Sequence, residues 1–218
     1  MYGWDIVNEI NNPNSFLSQE QVLELARAAS AAAKAADPQP LRIFNANLPL
    51  GDHLATPQIG QFAQRGGVKT AYRFFSDLAR AGVDYEVIGI QMYYWGLDLL
   101  ELSRMLDRFA CFGKPIQISE IGIASQPGVD KKSPYFQDKQ IIESLGEWHA
   151  PWSEKIQADY AEGIYTIAYS KPAVTAITWW DFTDDFWPFG GLLQRDGTPK
   201  EAYRRIKELL QSWGFHGK

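Results

Sequence analysis

Two short stretches of this sequence indicate its architecture: residues 4–9 read WDIVNE, and residues 115–120 read PIQISE. Each is a short, largely apolar run that ends in a glutamate. Runs of this kind are typical of barrel strands that present a catalytic side chain at their carboxyl end. Glu9 and Glu120 are therefore the first candidate catalytic residues.

Around these stretches, strand-like and helical segments alternate along the whole chain. Predicted strands cover residues 4–9, 41–45, 87–92, 116–120 and 174–180, and predicted helices cover residues 18–36, 70–81, 98–112, 153–169 and 198–213. This alternation predicts an α/β fold with a parallel sheet. A closed TIM (β/α)8 barrel takes eight strand–helix units and about 250 residues. About five units therefore predict a partial barrel, which we expect to form a single domain over residues 1–218.

Composition and charge narrow the classes of function. With 218 residues, 45% of them hydrophobic, the chain can bury a sizeable core. The formal net charge is −5, and the lysines and arginines form no cluster. Because binding to phosphates needs such a cluster, nucleic acid is not expected as a partner. No apolar run has the length of a membrane span, so a membrane partner is not expected either.

The start of the sequence and its single cysteine give two further expectations. The sequence has no recognisable signal peptide, so we expect a cytoplasmic protein if Met1 is a native start, and a secreted one if the chain is part of a longer enzyme. Cys111 is the single cysteine and stands in the apolar run 109–112, so we expect a small buried side chain there.

The two glutamates fit the chemistry of retaining glycoside hydrolysis, which needs two carboxyl groups about 5–5.5 Å apart. Glu9 is the candidate general acid and base, since it can protonate the leaving glycosidic oxygen. Asn8 beside it can hydrogen-bond a sugar hydroxyl in the transition state. Glu120 is the candidate nucleophile, which stays ionised while Glu9 keeps a proton. Either glutamate taken alone is more often a solvated loop acid.

Aromatic residues gather where predicted strands end, which weighs against that simpler interpretation. Tyr93 is the first of three aromatic residues after the third strand, and Trp180 and Trp187 belong to a larger group after the fifth. Flat rings stack on sugar faces, and barrels place their sites at the loops that follow the strands.

A metal site is not expected. Asp181, Asp184 and Asp185 lack the regular spacing of a calcium loop, so we expect them to be polar lining or solvated surface. The three histidines are scattered and have no ligand spacing. Two carboxylates and water suffice for the chemistry, so no cofactor is expected.

The motifs around these residues resemble glycoside hydrolase family 10, the retaining endo-β-1,4-xylanases of clan A. WDIVNE is similar to the family's acid/base strand, PIQISEIGI (115–123) to its nucleophile strand and EVIGIQMYY (86–94) to the strand between. Residues 173–206, from AVTAITWWDFTDDFW to EAYRRI, resemble its final strand, aromatic loop and C-terminal helix. The resemblance runs through nearly the whole chain but corresponds to strands four to eight of the family's barrel.

The resemblance implies a partial TIM (β/α)8 barrel that lacks the first three strand–helix units. It implies that Glu9 is the acid/base, Asn8 the contact to the sugar 2-hydroxyl and Glu120 the nucleophile. Gln91, Trp180 and Trp187 are similar to residues of the family's sugar subsites. The implied partner is a polysaccharide or oligosaccharide. An exposed strand edge is prone to pairing, so self-association through the edge of the partial barrel is also expected.

Two positions depart together from the family pattern. The family has histidine two residues after the glutamine, where this chain has Tyr93, and aspartate two residues after the nucleophile, where this chain has Gly122. In the family these two residues are linked and hold the nucleophile. A tyrosine hydroxyl can also donate to the nucleophile, as in other clan A families such as the family 5 endoglucanases. We therefore include Tyr93 among the candidate substrate-binding residues.

Three hypotheses for function follow. The first is an endo-acting retaining hydrolase that cleaves internal β-1,4 linkages of xylan. The second is a catalytically inactive partial barrel that binds carbohydrate through its aromatic residues or associates with other chains. The third is a clan A β-glucanase or β-mannanase, which the tyrosine at position 93 favours.

Overall fold

The structure, a computed structural model, describes residues 2–11, 17–47, 70–93, 98–128, 130–134, 147–187 and 189–215. Within these ranges five strands alternate with five helices. The strands are β1 (Gly3–Asn8), β2 (Leu41–Ala46), β3 (Val87–Met92), β4 (Ile116–Ile121) and β5 (Val174–Trp179). The helices are α1 (Gln19–Ala36), α2 (Ala71–Arg80), α3 (Leu99–Ala110), α4 (Glu154–Tyr169) and α5 (Glu201–Ser212).

All the predicted strands and helices are present, with ends that differ by a few residues. Local capping explains why α1 begins where it does. The Ser18 hydroxyl accepts the backbone N–H of Gln21, and the Gln21 side chain accepts the backbone N–H of Ser18. These two bonds satisfy N–H groups that a helix start otherwise leaves without partners. Thr70 and Ser153 cap α2 and α4 with their hydroxyl groups.

The five strands form one sheet in the order β1-β2-β3-β4-β5. β1 pairs with β2 in parallel, with a register irregularity between Asp5 and Val7, and β2 pairs with β3 in parallel. Each strand is joined to the next through a helix, as parallel neighbours require. The predicted α/β fold with a parallel sheet is therefore confirmed.

The chain divides into two compact units. The first comprises Met1–Met92, Met105–Ser119 and Pro172–Thr178, and the second comprises Tyr93–Arg104, Glu120–Lys171 and Trp179–Lys218. The sheet belongs to the first unit, except for the last residues of β4 and β5. The single domain over residues 1–218 stays a prediction.

Buried aromatic rings form the core of the first unit. Phe44 of β2 is fully buried and meets Tyr85 edge-on, with 5.3 Å between ring centroids. Phe75 of α2 meets Phe109 of α3 edge-on at 6.0 Å. Edge-to-face pairs of this kind add to the stabilisation that burial gives. These contacts hold β2, α2 and α3 in the core of the first unit.

An ion cluster lies at the amino ends of β2 and β3. Arg42, whose side chain is only 4% exposed, pairs with Glu86 and, at 2.9 Å, with Asp84. Lys34 of α1 pairs with Asp84 at 2.8 Å. Hydrogen bonds from Lys34 and then Arg42 lower the pKa of Asp84 to about 2. Sites of α/β barrels lie at the carboxyl ends of the strands, so this cluster serves stability.

The second unit packs α4 against α5. Trp152 and Tyr160 are buried together, with 5.9 Å between ring centroids. Arg205 of α5 forms ion pairs with Asp159 and Glu162 of α4. Within the described ranges, no helix is both long and apolar enough to cross a membrane.

Cys111 is exposed, so the prediction of a buried side chain is wrong. The residue directly follows the last residue of α3, and its sulfur lies 3.6 Å from the carbonyl oxygen of Asp107. Its neighbour Phe109 takes the buried position instead. The apolar run therefore turns with the helix, and only part of it faces the core.

Candidate active site

Glu9 follows directly after β1 and has an unusual backbone. Its φ of 56° lies in the left-handed region, which residues other than glycine seldom adopt. Its N–H donates to the carbonyl of Asn45 at 2.9 Å, which holds the turn in place. Strained backbone of this kind is often found at functional sites. Gln91 of β3 donates from Nε2 to Oε1 of Glu9 at 2.8 Å, which fixes the carboxyl group.

The side-chain amide of Asn8 is oriented by two donors. Asn45 donates from Nδ2 to Oδ1 of Asn8 at 2.8 Å, and Gln91 donates from Nε2 to the same oxygen at 3.2 Å. These two bonds fix the orientation of the Asn8 amide, whose NH2 group is a hydrogen-bond donor.

Asn45 is a buried residue that connects strands by hydrogen bonds, and it was not predicted from the sequence. It is 1% exposed at the carboxyl end of β2, and its Oδ1 accepts the hydroxyl of Ser119 at 2.5 Å. It thereby links Asn8 of β1 to Ser119 of β4. The available signal was a polar residue at the end of an apolar predicted strand, a position that barrels use for their sites.

Glu120 lies near the carboxyl end of β4 and accepts a hydrogen bond from Tyr93. The tyrosine Oη lies 2.7 Å from Oε2 of Glu120. Gly122 leaves room for this tyrosine, because a Cβ at position 122 would lie 3.0 Å from Cε1 of Tyr93. The two departures from the family pattern thus form one physical arrangement, in which the ring packs over the glycine and its hydroxyl reaches the glutamate.

The three aromatic residues predicted for the site, Tyr93, Trp180 and Trp187, form one cluster. The ring centroid of Trp187 lies 4.7 Å from that of Tyr93, and the centroid of Trp180 lies 6.1 Å away. Trp180 also packs on Phe186, at 4.8 Å. Trp180 is 36% exposed and Phe186 is 41% exposed. The cluster therefore presents aromatic surface to solvent, as a sugar-stacking site does.

The loop after β5 that carries these tryptophans is held by buried polar groups. Lys200 is fully buried and donates from Nζ to Asp184 at 2.6 Å and to Ser125 at 2.9 Å. Asp184 also accepts the backbone N–H of Gly191 at 2.9 Å. Burial lowers the pKa of Lys200, and the neighbouring Asp184 opposes that shift. Sequence reasoning missed Lys200, whose position before a helix carried no signal of burial.

The three aspartates of this loop take separate roles. Asp181 and Asp184 are buried and accept backbone N–H groups of their own loop, so they line its interior as polar residues. Asp185 is exposed to solvent. Burial, and to a lesser degree Asp184 and Asp185, raise the pKa of Asp181 to about 6. Among the described residues, no group of three His, Cys, Asp or Glu side chains could hold a metal ion.

The predicted site residues fall into two groups. In the first unit the structure brings Glu9, Asn8 and Gln91 together, and in the second it brings Glu120, Tyr93, Trp180 and Trp187 together. The first group is a carboxyl group held by amides, and the second is a carboxylate held by a phenol beside a stacking surface. The shared role of the two groups in one reaction stays a prediction.

Several of the known proteins similar to this chain are xylanases. Endo-1,4-beta-xylanase B of Thermotoga neapolitana is 28% identical over 225 residues, which cover 95% of this chain and 56% of the relative. The native crystal structure of xylanase 10B from Thermotoga maritima superposes with a TM-score of 0.65 at 26% identity, covering 98% of this chain and 61% of that one. Xylanase 10B from Thermotoga petrophila, solved in complex with xylobiose, gives a TM-score of 0.64 at 26% identity and covers 96% and 60%.

These comparisons also set the extent of the match. The chain spans less than two thirds of the length of each of these relatives. It therefore matches part of their barrel, in agreement with the predicted partial TIM barrel. The family model described as glycosyl hydrolase family 10 matches residues 1–209. On this match the chain belongs to glycosyl hydrolase family 10.

Proposed function

We propose that the chain carries the catalytic groups of an endo-acting, retaining glycoside hydrolase that cleaves internal β-1,4 linkages of xylan. The observation that carries the proposal is that both strand-end glutamates are held by a donor from one short segment. Gln91 donates to Glu9, and Tyr93, two residues later, donates to Glu120. Family membership and the xylanase relatives support the same conclusion.

In the first step of this mechanism Glu9 acts as the general acid. It transfers its proton to the glycosidic oxygen as the bond to the leaving sugar breaks. Asn8 donates from its NH2 group to the sugar 2-hydroxyl, a bond that strengthens as positive charge develops on the ring. The contacts that orient Asn8 and Glu9 support these roles, because both side chains are fixed before substrate arrives.

Glu120 acts as the nucleophile and forms a covalent bond to the anomeric carbon. The hydrogen bond from Tyr93 to Oε2 of Glu120 orients the carboxylate for this attack. In the second step Glu9, now ionised, takes a proton from water, which attacks the same carbon and releases Glu120. Retention of configuration follows from these two displacements and requires the two carboxyl groups to approach to about 5–5.5 Å.

Xylan is the proposed substrate because the three relatives described above are named as xylanases and one of them was solved with xylobiose. In this chain Trp180 and Trp187 would stack on xylose rings, and Gln91 would position Glu9 beside the cleaved bond. The Tyr93 and Gly122 pair favours a second candidate, a β-glucanase or β-mannanase, because it replaces the histidine and aspartate that the family pattern has at these positions. Initial rates on xylan, β-glucan and β-mannan separate these candidates.

A silent carbohydrate-binding or self-associating chain remains the alternative from a different class. The exposed Trp4 on the edge strand β1, and the exposed Tyr2 just before this strand, favour association with a second copy. Sedimentation equilibrium tests this association. Quenching of tryptophan fluorescence by xylohexaose without product release would support binding alone.

The proposal is tested by comparing hydrolysis by the wild-type chain, Glu120→Gln and Glu9→Gln. We expect Glu120→Gln to lose activity on every substrate by about a thousandfold or more. We expect Glu9→Gln to lose activity on xylan but to form the covalent intermediate from 2,4-dinitrophenyl β-xylobioside, whose leaving group needs no proton. Glu20→Gln on the exposed face of α1 is the matched control. Unchanged turnover in Glu120→Gln would contradict the proposal.

A further inference from the structure

The loop after β5 contains a buried carboxylate that reaches across to one of its own tryptophans. Asp181 is 8% exposed, and its Oδ2 accepts the backbone N–H of Trp187. This bond spans six residues and folds the loop back on itself. The position of the main chain at Trp187 therefore depends on the acceptor at Asp181.

The Trp187 ring has little freedom once its main chain is fixed. A Cβ at Gly190 would lie 2.7 Å from Cδ1 of Trp187, and a Cβ at Gly122 would lie 3.4 Å from the same atom. The two glycines thus mark the places where the ring is closely packed. The ring also tilts by 33° against Tyr93, the residue that donates to Glu120. The chain of contacts runs from Asp181 through Trp187 to the tyrosine beside the glutamate.

Asp181 stands among groups that disfavour its charge. Burial is the largest cause and raises the pKa of Asp181 to about 6, and repulsion by Asp184 and Asp185 acts in the same direction. The N–H of Trp187 and, more weakly, Lys200, which is itself engaged at 2.6 Å with Asp184, oppose this shift in pKa. The carboxyl group of Asp181 therefore changes charge around pH 6.

We propose that Asp181 is a positioning residue that, as a carboxylate, holds the Trp187 ring against Tyr93, and that its protonation loosens this part of the sugar-binding surface. Hydrogen bonds to an ionised acceptor are roughly twice as strong as those between neutral groups. A protonated Asp181 keeps a carbonyl oxygen but loses that added strength. The inference rests on the proposed function of Trp187 as a sugar-stacking residue, and its primary test needs no turnover.

The primary test follows the backbone amide of Trp187 by NMR in protein labelled with 15N-tryptophan. The signal is assigned by its loss in Trp187→Phe. We expect its proton shift to move downfield between pH 5 and 7, with a midpoint of about 6. Asp181→Asn keeps an acceptor oxygen but cannot ionise, so this movement should be absent. Asp185→Asn, at an exposed neighbour, should retain it with a slightly lower midpoint.

A second measurement connects the loop to ligand binding. We expect the KM for xylohexaose of the wild-type chain to rise severalfold as pH falls from 7 to 5, and the KM of Asp181→Asn to stay level. A Trp187 amide that does not titrate, or that titrates equally in Asp181→Asn, overturns the inference. If the amide titrates as expected but no variant hydrolyses xylan, the inference stands and the proposed function fails.

Discussion

Tyr93→Phe removes one oxygen atom and tests whether the tyrosine holds Glu120 for catalysis. The lost bond is the 2.7 Å contact from Oη of Tyr93 to Oε2 of Glu120. The ring itself remains, packed on Trp187 at 4.7 Å and over Gly122. The substitution therefore isolates the hydrogen bond from the packing of the side chain.

The size of the expected effect follows from the charge on the acceptor. Hydrogen bonds to charged groups contribute about 1.5–3 kcal/mol, and each 1.36 kcal/mol corresponds to tenfold in rate. If the bond acts by fixing the attacking orientation, kcat/KM should fall by roughly 10- to 160-fold. Most of this loss should appear in kcat, because substrate stacking on the tryptophans is untouched.

Initial rates on an aryl β-xylobioside, together with thermal unfolding, measure the effect. Tyr85→Phe is a matched control, since the hydroxyl of Tyr85 is buried and has no hydrogen-bond partner among the described residues. Tyr85→Phe should keep wild-type kcat/KM and lose no stability. If kcat/KM of Tyr93→Phe lies within about twofold of wild type, or falls no further than in Tyr85→Phe, Tyr93 does not position the nucleophile.

Three further predictions concern residues around the same loop. In Gly122→Ala the new methyl group lies 3.0 Å from Cε1 of Tyr93, so the tyrosine has to shift and kcat/KM should fall. The loss should be smaller than the roughly hundredfold that a 1 Å displacement costs. An unchanged kcat/KM on an aryl β-xylobioside would contradict this. Lys200→Met removes the partner of the buried Asp184 carboxylate and should lower the free energy of unfolding in urea by about 3–5 kcal/mol. Adding Asp184→Asn should restore part of that stability. Equal stability of the single and double variants would contradict the pairing. The pKa of Asp181 is raised from 3.8 to about 6, so between these pH values the folded state binds more protons than the unfolded state. The free energy of unfolding therefore falls as pH rises from about 4 to 6, by up to about 3 kcal/mol from this group. Asp181→Asn should lack that loss in unfolding measured at each pH, and parallel curves for the two proteins would exclude it.

The strand ends could be predicted from sequence because their residues are locally distinctive. An apolar run ending in a glutamate marked Glu9 and Glu120, and the helix predicted from residue 18 begins in the structure directly after the Ser18 cap. The family pattern added Gln91, Trp180 and Trp187, and the departures at positions 93 and 122 predicted the hydrogen bond that the structure shows. These features depend on neighbours in the chain or on a family motif.

Contacts across the fold were beyond the reach of the sequence. The role of Asn45 depends on Asn8 and Ser119, which lie 37 and 74 residues away along the chain. Burial of Lys200 depends on a loop that folds over it, and no local pattern distinguishes it from a solvated lysine. For Cys111 the local pattern gave the wrong prediction. Its apolar neighbours indicated a buried side chain, but the residue follows the end of α3 and is exposed to solvent.

The covalent intermediate is the central claim of the retaining mechanism, and trapping it tests that claim most directly. The protein is incubated with 2-deoxy-2-fluoro β-xylobioside and β-cellobioside reagents, and its intact mass and peptide map are measured. We expect a xylobiosyl adduct on the peptide that contains Glu120, no adduct in Glu120→Gln and slower labelling in Tyr93→Phe. An adduct on a different carboxylate, or xylan hydrolysis without any adduct, would contradict Glu120 as the nucleophile.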